Sequence, residues 1–328
     1  MALIITPTMT ITQIQNVLNK AGDITFKKGT YSITKPLILT SNTSITLEDG
    51  AILKRNKRCY VFQTYVTDKT TKYNGAHDIS INGGTIVCNG CLQPTNIISL
   101  VHSKSITIKN VTIKNNVGNH AIEINSSRNV VIDSCKFLKS TQKTGACFRE
   151  QIQIDFAYQT GLPFSKNNKA VTYDGTCCKD ITIKNCTFNG CNIAIGTHTQ
   201  SATNNHHTNI KILNNKGVGC GVLENYGAFC RLIGMSDVVI SGNKIKNFGR
   251  LVEITTPSKF YLNNSSITTT ASGIDGCSDI EINNNTILEP CTTFKYNGIF
   301  VKSKFEEITH SNIRLGENKF NGALSNVK

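Results

Sequence analysis

The chain has 328 residues, 39% of them hydrophobic and 17% charged, with only 6 prolines; such a composition supports a folded core and excludes a disordered chain. Lysine and arginine outnumber aspartate and glutamate by 35 to 21, a formal charge of +14 that favours polyanionic partners or simply a basic surface. No aromatic-rich nucleic-acid motif or zinc-finger spacing accompanies that charge, so nucleic acid ranks low, and no stretch reaches the roughly 18 apolar residues of a membrane helix.

In chain order, the opening MALIITPTMTITQIQNVLNK lacks the charged and small-residue features of a secretion signal, and the compartment is left open. Within it, Ile11, Ile14, Val17 and Leu18 stand at helical spacing. A helix over about residues 10–22 is expected, closing the open end of whatever follows.

From residue 78 onward a repeat takes over. DISINGGTI (78–86), SITIKNVTI (105–113), NVVIDSCKF (129–137), DITIKNCTF (180–188), NIKILNNKG (209–217), DVVISGNKI (237–245), DIEINNNTI (279–287) and NIRLGENKF (312–320) align without gaps. Counted on Ile79, Ile106, Val130, Ile181, Ile210, Val238, Ile280 and Ile313, the steps are 27, 24, 51, 29, 28, 42 and 33 residues. Alternation of period 2 and a coil of roughly 20 to 30 residues are the marks of a β-solenoid; the long steps imply inserted loops or an extra turn. The chain is therefore read as all-β, a single-stranded right-handed parallel β-helix forming one domain over 1–328 with an N-terminal capping helix.

Alignment also stacks side chains. Val111, Cys135, Cys186, Asn215, Asn243, Asn285 and Asn318 share a column, whose last four members are expected to form an asparagine ladder, plain turn chemistry being the alternative. Cys191 is expected over Cys220, and the 13 cysteines are read mostly as reduced, buried thiols.

A second strand column precedes the first by about eight residues: NIISLV (96–101), HAIEIN (120–125), EQIQID (150–155), NIAIGTH (192–198), FCRLIG (229–234), LVEITT (251–256) and GIFVKS (298–303). Its isoleucines point inward, so Glu123, Gln153 and Asp155 point to the other face, expected to be solvent. In this register Gln153 stacks on Glu123 and Asp155 on Asn125, which puts the Glu123 and Asp155 backbones roughly 8 Å apart. That is near the separation of an inverting glycosidase pair. Glu150 is a third carboxyl candidate, and His120, Gln153, His198 and Arg231 fall along the same strand ends as candidate substrate contacts. The segment 156–178 leaves the repeat directly after Asp155; it is read as an inserted groove loop, with Tyr158 and Asp174 as substrate contacts. His206 and His207 make a weak metal candidate, because neighbours on a strand face opposite ways; no metal or cofactor is expected.

The cap helix, the opening GTYSITKPLILTSNTSITLEDGAIL and coils such as DITIKNCTF resemble the pectin-lyase-like superfamily of right-handed parallel β-helices, over about residues 10–322. That superfamily includes polygalacturonases, pectate lyases, epimerases and phage tail depolymerases. The nearer likeness is to glycoside-hydrolase-like, often phage-borne members, carried by GNHAIEINSSRNVVIDSCKF, REQIQIDFA and AIGTHT. Asn-Thr-Asp, Asp-Asp, Gly-His-Gly and Arg-Ile-Lys motifs in polygalacturonase order are absent. The resemblance implies a polysaccharide-degrading enzyme, a glycoside hydrolase acting on a neutral or acidic glycan through Glu123, Asp155 and Glu150. The alternatives are a polysaccharide lyase and a non-catalytic glycan-binding phage tail or surface protein, a trimer if virion-borne.

Overall fold

The computed structural model describes residues 2–139, 150–157, 174–197, 204–220, 227–256, 275–291 and 298–321. The strands wind as a right-handed parallel β-helix. In register, Ile79 pairs with Ile106, Ile106 with Val130, Val130 with Ile181, Ile181 with Ile210, Ile210 with Val238, Val238 with Ile280 and Ile280 with Ile313. The steps of 51 and 42 residues are thus single coils carrying insertions, not extra turns.

What makes the chain turn is written at fixed positions of the repeat. The residue before each first apolar position has positive φ: Asp78, Ser105, Asn129, Asp180, Asn209, Asp237, Asp279 and Asn312. A second left-handed column follows five residues later, with Gly83, Asn110, Ser134, Asn185, Asn214, Gly242 and Asn284. Glycine pays no Cβ penalty there, and Asn and Asp tolerate it best among the other residue types. Between these bends, alternation sends every second side chain into one continuous core of stacked Ile, Val, Leu, Phe and Cys.

Packing along the axis is specific. Phe137 stacks on Phe188 with centroids 4.8 Å apart, and Phe188, Phe229 and Phe248 continue edge to face. Gly217 follows Phe188 in register. A Cβ there would stand 2.8 Å from the Phe248 ring and 3.0 Å from that of Phe229, so the aromatic stack occupies the space a side chain would need.

The asparagine ladder is present. Asn243 Oδ1 accepts from Asn215 N and Nδ2 at 2.9 and 3.0 Å; Asn285 Oδ1 accepts from Asn243 N and Nδ2 at 3.0 and 2.9 Å; Asn318 Oδ1 accepts from Asn285 N and Nδ2, both at 3.0 Å. Each amide also donates to a strand carbonyl.

Three expectations need correction. The helix runs Ile11–Leu18, shorter than 10–22, because Ala21 and Gly22 adopt positive φ and start the first coil; Thr10 and Gln13 close a capping box, and Ile14 and Leu18 are buried. Cys191 pairs with Gly219 instead of Cys220, since the register slips by one after Asn189. Phe156 and Ala157, assigned to the inserted loop, are buried: Phe156 lies 4.7 Å from the His207 ring and Ala157 packs on Val66 and Val101. All the described cysteines are free thiols.

Candidate functional site

Nine parallel strands form a separate sheet: Leu37–Leu39, Phe62–Thr64, Ile98–Val101, Ile122–Asn125, Glu150–Asp155, Ile193–Thr197, Ala228–Leu232, Val252–Thr255 and Ile299–Lys302. All seven segments of the second strand column fall in it, in the expected order. Strand pairing places one outward residue per coil in a single file: Gln63, Ser99, Glu123, Gln153, Gly196, Arg231, Glu253 and Phe300. Asn125 and Asp155 are neighbours in the adjacent file. The Glu123–Asp155 relation of one coil and two residues is therefore as the alignment implied.

Solvent exposure is not. Glu123 and Gln153 are each 3% exposed and Asp155 1%. Alternation decides from which face a side chain leaves; it carries no information about what else packs on that face. The carboxylates are engaged: Glu123 Oε2 accepts from Asn96 Nδ2 at 2.7 Å, Asp155 Oδ1 from Phe156 N at 2.8 Å, and Asp155 Oδ2 from Gln153 Nε2 at 3.2 Å. Tyr60 lies close enough to Glu123 to feel its charge; burial first, and that charge second, push the phenol far above its ordinary value.

Glu150 begins the strand Glu150–Asp155, and its carboxylate pairs with Arg231. The two residues are joined across Gly196, which lies one coil beyond Glu150 in the same sheet. A Cβ on Gly196 would stand 3.0 Å from Glu150 Cγ and 2.9 Å from the Arg231 carbonyl, so the missing side chain is what lets Glu150 span to the second coil. Arg231 is thereby held by an internal carboxylate, three coils from Glu123. His120 Nδ1 donates to the Glu150 carbonyl at 2.8 Å and lies 3.7 Å from its carboxylate, so His120 holds the start of that strand.

Asp174 sits away from the file and is exposed. Its oxygens accept from Lys72 N at 2.7 Å and Thr176 N at 2.9 Å; burial works against ionisation, but these donors, the Thr176 side chain and His102 together hold the carboxyl below its ordinary range. His198 and Tyr158 lie outside the described residues, as does most of the groove loop. His207 is turned into the core and accepts from Cys178 N at 2.8 Å. Among the described residues no group of three or more His, Cys, Asp or Glu is placed to hold a metal ion.

Glu253 escaped the reading of the sequence. It follows Arg231 in the file, pairs with Arg250 at 3.1 Å and leaves Oε2 buried without a hydrogen bond. Burial pushes its carboxyl up, although Arg250 and Arg231 pull the other way. The signal was visible as the Glu of LVEITT, but only the register sets it beside Arg231. A carboxyl whose folded pKa is raised takes its proton more readily folded than unfolded, so its stabilising contribution is lost as pH rises through the folded value. Glu253→Gln is accordingly expected to raise the thermal midpoint at pH 7, with the advantage over the parent disappearing near pH 4; equal midpoints across that range would contradict it.

Comparison with known proteins adds the following. A family model described as a right handed beta helix region matches residues 95–287. The plasmin and fibronectin-binding protein A of Streptococcus pneumoniae is 32% identical over 256 residues, which is 68% of this chain and 34% of that protein. The chain thus spans about a third of the length of this curated relative. A crystal structure of PfbA, a surface adhesin of Streptococcus pneumoniae, superposes with a TM-score of 0.75 at 25% identity over 99% of this chain and 80% of that one. A tailspike protein of E. coli bacteriophage HK620 gives 0.59 at 15% identity, over 95% of this chain and 59% of that one. The catalytic domain of a GH87 α-1,3-glucanase in complex with nigerose gives 0.63 at 13% identity, over 97% and 58%. At these identities the last two are similar in fold alone.

Proposed function

Because the chain belongs to the right-handed β-helix family, over the matched residues 95–287, we propose that it is a glycan-binding surface protein whose nine-stranded sheet aligns an extended polysaccharide along the helix axis. The observation that carries this reading is the single file of amide, hydroxyl, carboxyl and guanidinium side chains that runs from Gln63 to Glu253, one residue per coil, interrupted only at Gly196. A polymer of sugar units is itself a linear repeat of hydroxyl groups, and a file of donors and acceptors about 4.8 Å apart is its natural complement. Burial of Glu123, Gln153 and Asp155 means that a glycan reaches them only by displacing what packs over them. The adhesin relative supports binding as the primary task, since the identity to it is the highest among the proteins compared above.

Hydrolysis is the second reading, favoured by the placement of Glu123 and Asp155. Side chains one coil and two residues apart would leave room for a water between carboxyl and sugar. The donors from Phe156 N and Gln153 on Asp155 suit a group that must stay ionised as base, leaving Glu123 as the acid.

The two readings separate in one experiment on a panel of neutral and acidic polysaccharides, with plasmin and fibronectin added as probes of the relative's named partners. The expected result is saturable binding of a glycan that survives Glu123→Gln and Asp155→Asn within about threefold, without product. Reducing ends released by the parent and lowered at least ~10²-fold in both variants would instead establish the hydrolase. New absorbance from unsaturated sugars would move the reading to a lyase.

A further inference from the structure

The excess of positive charge lies elsewhere. On the site sheet the outward ionisable side chains among the described residues are Glu123, Asp155 and Glu253 against Arg231 and Lys302, and Glu150 is added at the strand edge, so this face is not basic. The short strands after the second left-handed bend form another face, and its outward positions are basic. Lys136, Thr187, Lys216, Lys244, Thr286 and Lys319 are successive register partners in one file. The four lysines are exposed, and none forms an ion pair among the described residues. Five strand steps separate the first from the last, a row of about 24 Å. The neighbouring file adds Lys54, Lys114 and Lys246 against one acid, Glu289, which pairs with Lys246 at 3.6 Å.

We propose that this lysine–threonine row binds a linear anionic glycan lying along the helix axis. Its members are ammonium and hydroxyl donors repeated at the strand spacing, which matches charges repeated along a polymer. No aromatic side chain stands in the row, so it lacks the stacking platform that single-stranded nucleic acid uses. The row is bordered by the Lys246–Glu289 pair, which would set an acid against the headgroups of an anionic membrane. The site is separate from the nine-stranded sheet, so the function proposed for that sheet can fail without touching it.

The test compares a variant carrying Lys136→Gln, Lys216→Gln, Lys244→Gln and Lys319→Gln with one carrying Lys20→Gln, Lys28→Gln, Lys57→Gln and Lys69→Gln, four exposed lysines off the row. Both lose the same charge. Binding of heparin and of polygalacturonate is measured against salt, with single-stranded DNA and phosphatidylserine vesicles as further probes. The row variant is expected to bind at least one of the two glycans ~10-fold or more weakly, with the salt slope lowered by about four units, and the control is expected to stay within about threefold. Equal losses in both variants, no glycan binding by the parent, or tighter binding of DNA or vesicles than of either glycan would each overturn the proposal.

Discussion

Acidification from pH 7 to pH 4 is expected to cost the fold about 3 kcal/mol through one side chain, His207. The imidazole is wholly buried, touches the Phe156 ring and accepts the Cys178 N–H on Nδ1; burial first, and His206 second, lower its pKa to about 3. Unfolded, the same group titrates near 6.5. Between these values the unfolded chain binds the extra proton, so stability is complete above about 6.5 and falls as pH drops toward the folded value. Protonation of Nδ1 would also turn the acceptor of the Cys178 N–H into a donor. In His207→Asn the Oδ1 atom replaces Nδ1 as acceptor and cannot titrate. Denaturant unfolding of both proteins from pH 7 to 4 should therefore show the parent losing about 3 kcal/mol more than the variant. His102, His206 and His310, whose pKa values burial also lowers, remain in both and cancel. Parallel pH profiles would remove His207 from the account.

Asn243→Leu should be the most damaging single substitution in the ladder, at roughly 4 kcal/mol. Leucine keeps the volume but leaves Asn215 N and Nδ2 without their acceptor, and Ile212 O without its side-chain donor, all deep between coils. Each buried polar group left unsatisfied costs about 1–3 kcal/mol. Asn318 ends the same ladder in a half-buried position where water can replace lost bonds, so Asn318→Leu should cost only about 1 kcal/mol. The difference between the two, read by denaturant unfolding at neutral pH, is the diagnostic. Equal costs would mean that the asparagines act as independent turn residues.

Much of the site sheet was legible because β-structure has a side-chain period of two. Once HAIEIN and EQIQID were set in register, Glu123, Gln153 and Asp155 had to leave the same face, and they do. Glu253 was equally present in LVEITT, yet its meaning depends on Arg231 and Arg250 standing around it, and the Arg231–Glu150 pair joins residues 81 positions apart across a glycine. No local pattern encodes such a reach. The burial of the carboxylates was missed for the same reason: period tells direction, while accessibility depends on everything that packs above.

The repeat alone determined the solenoid, the order of its coils, the asparagine file and the inward isoleucines, because each coil repeats one backbone conformation and left-handed bends admit few residue types besides Asn, Asp and Gly. Only the tertiary structure decided that the 51- and 42-residue steps are single coils, that His207 is a core acceptor, that Glu150 holds Arg231, and that a file of exposed lysines stands on a face apart from the site carboxylates. Those outcomes are set by contacts between coils, where neighbours in space are 24 to 51 residues apart in sequence, and a side chain's charge or exposure is fixed by its neighbours on the coils above and below.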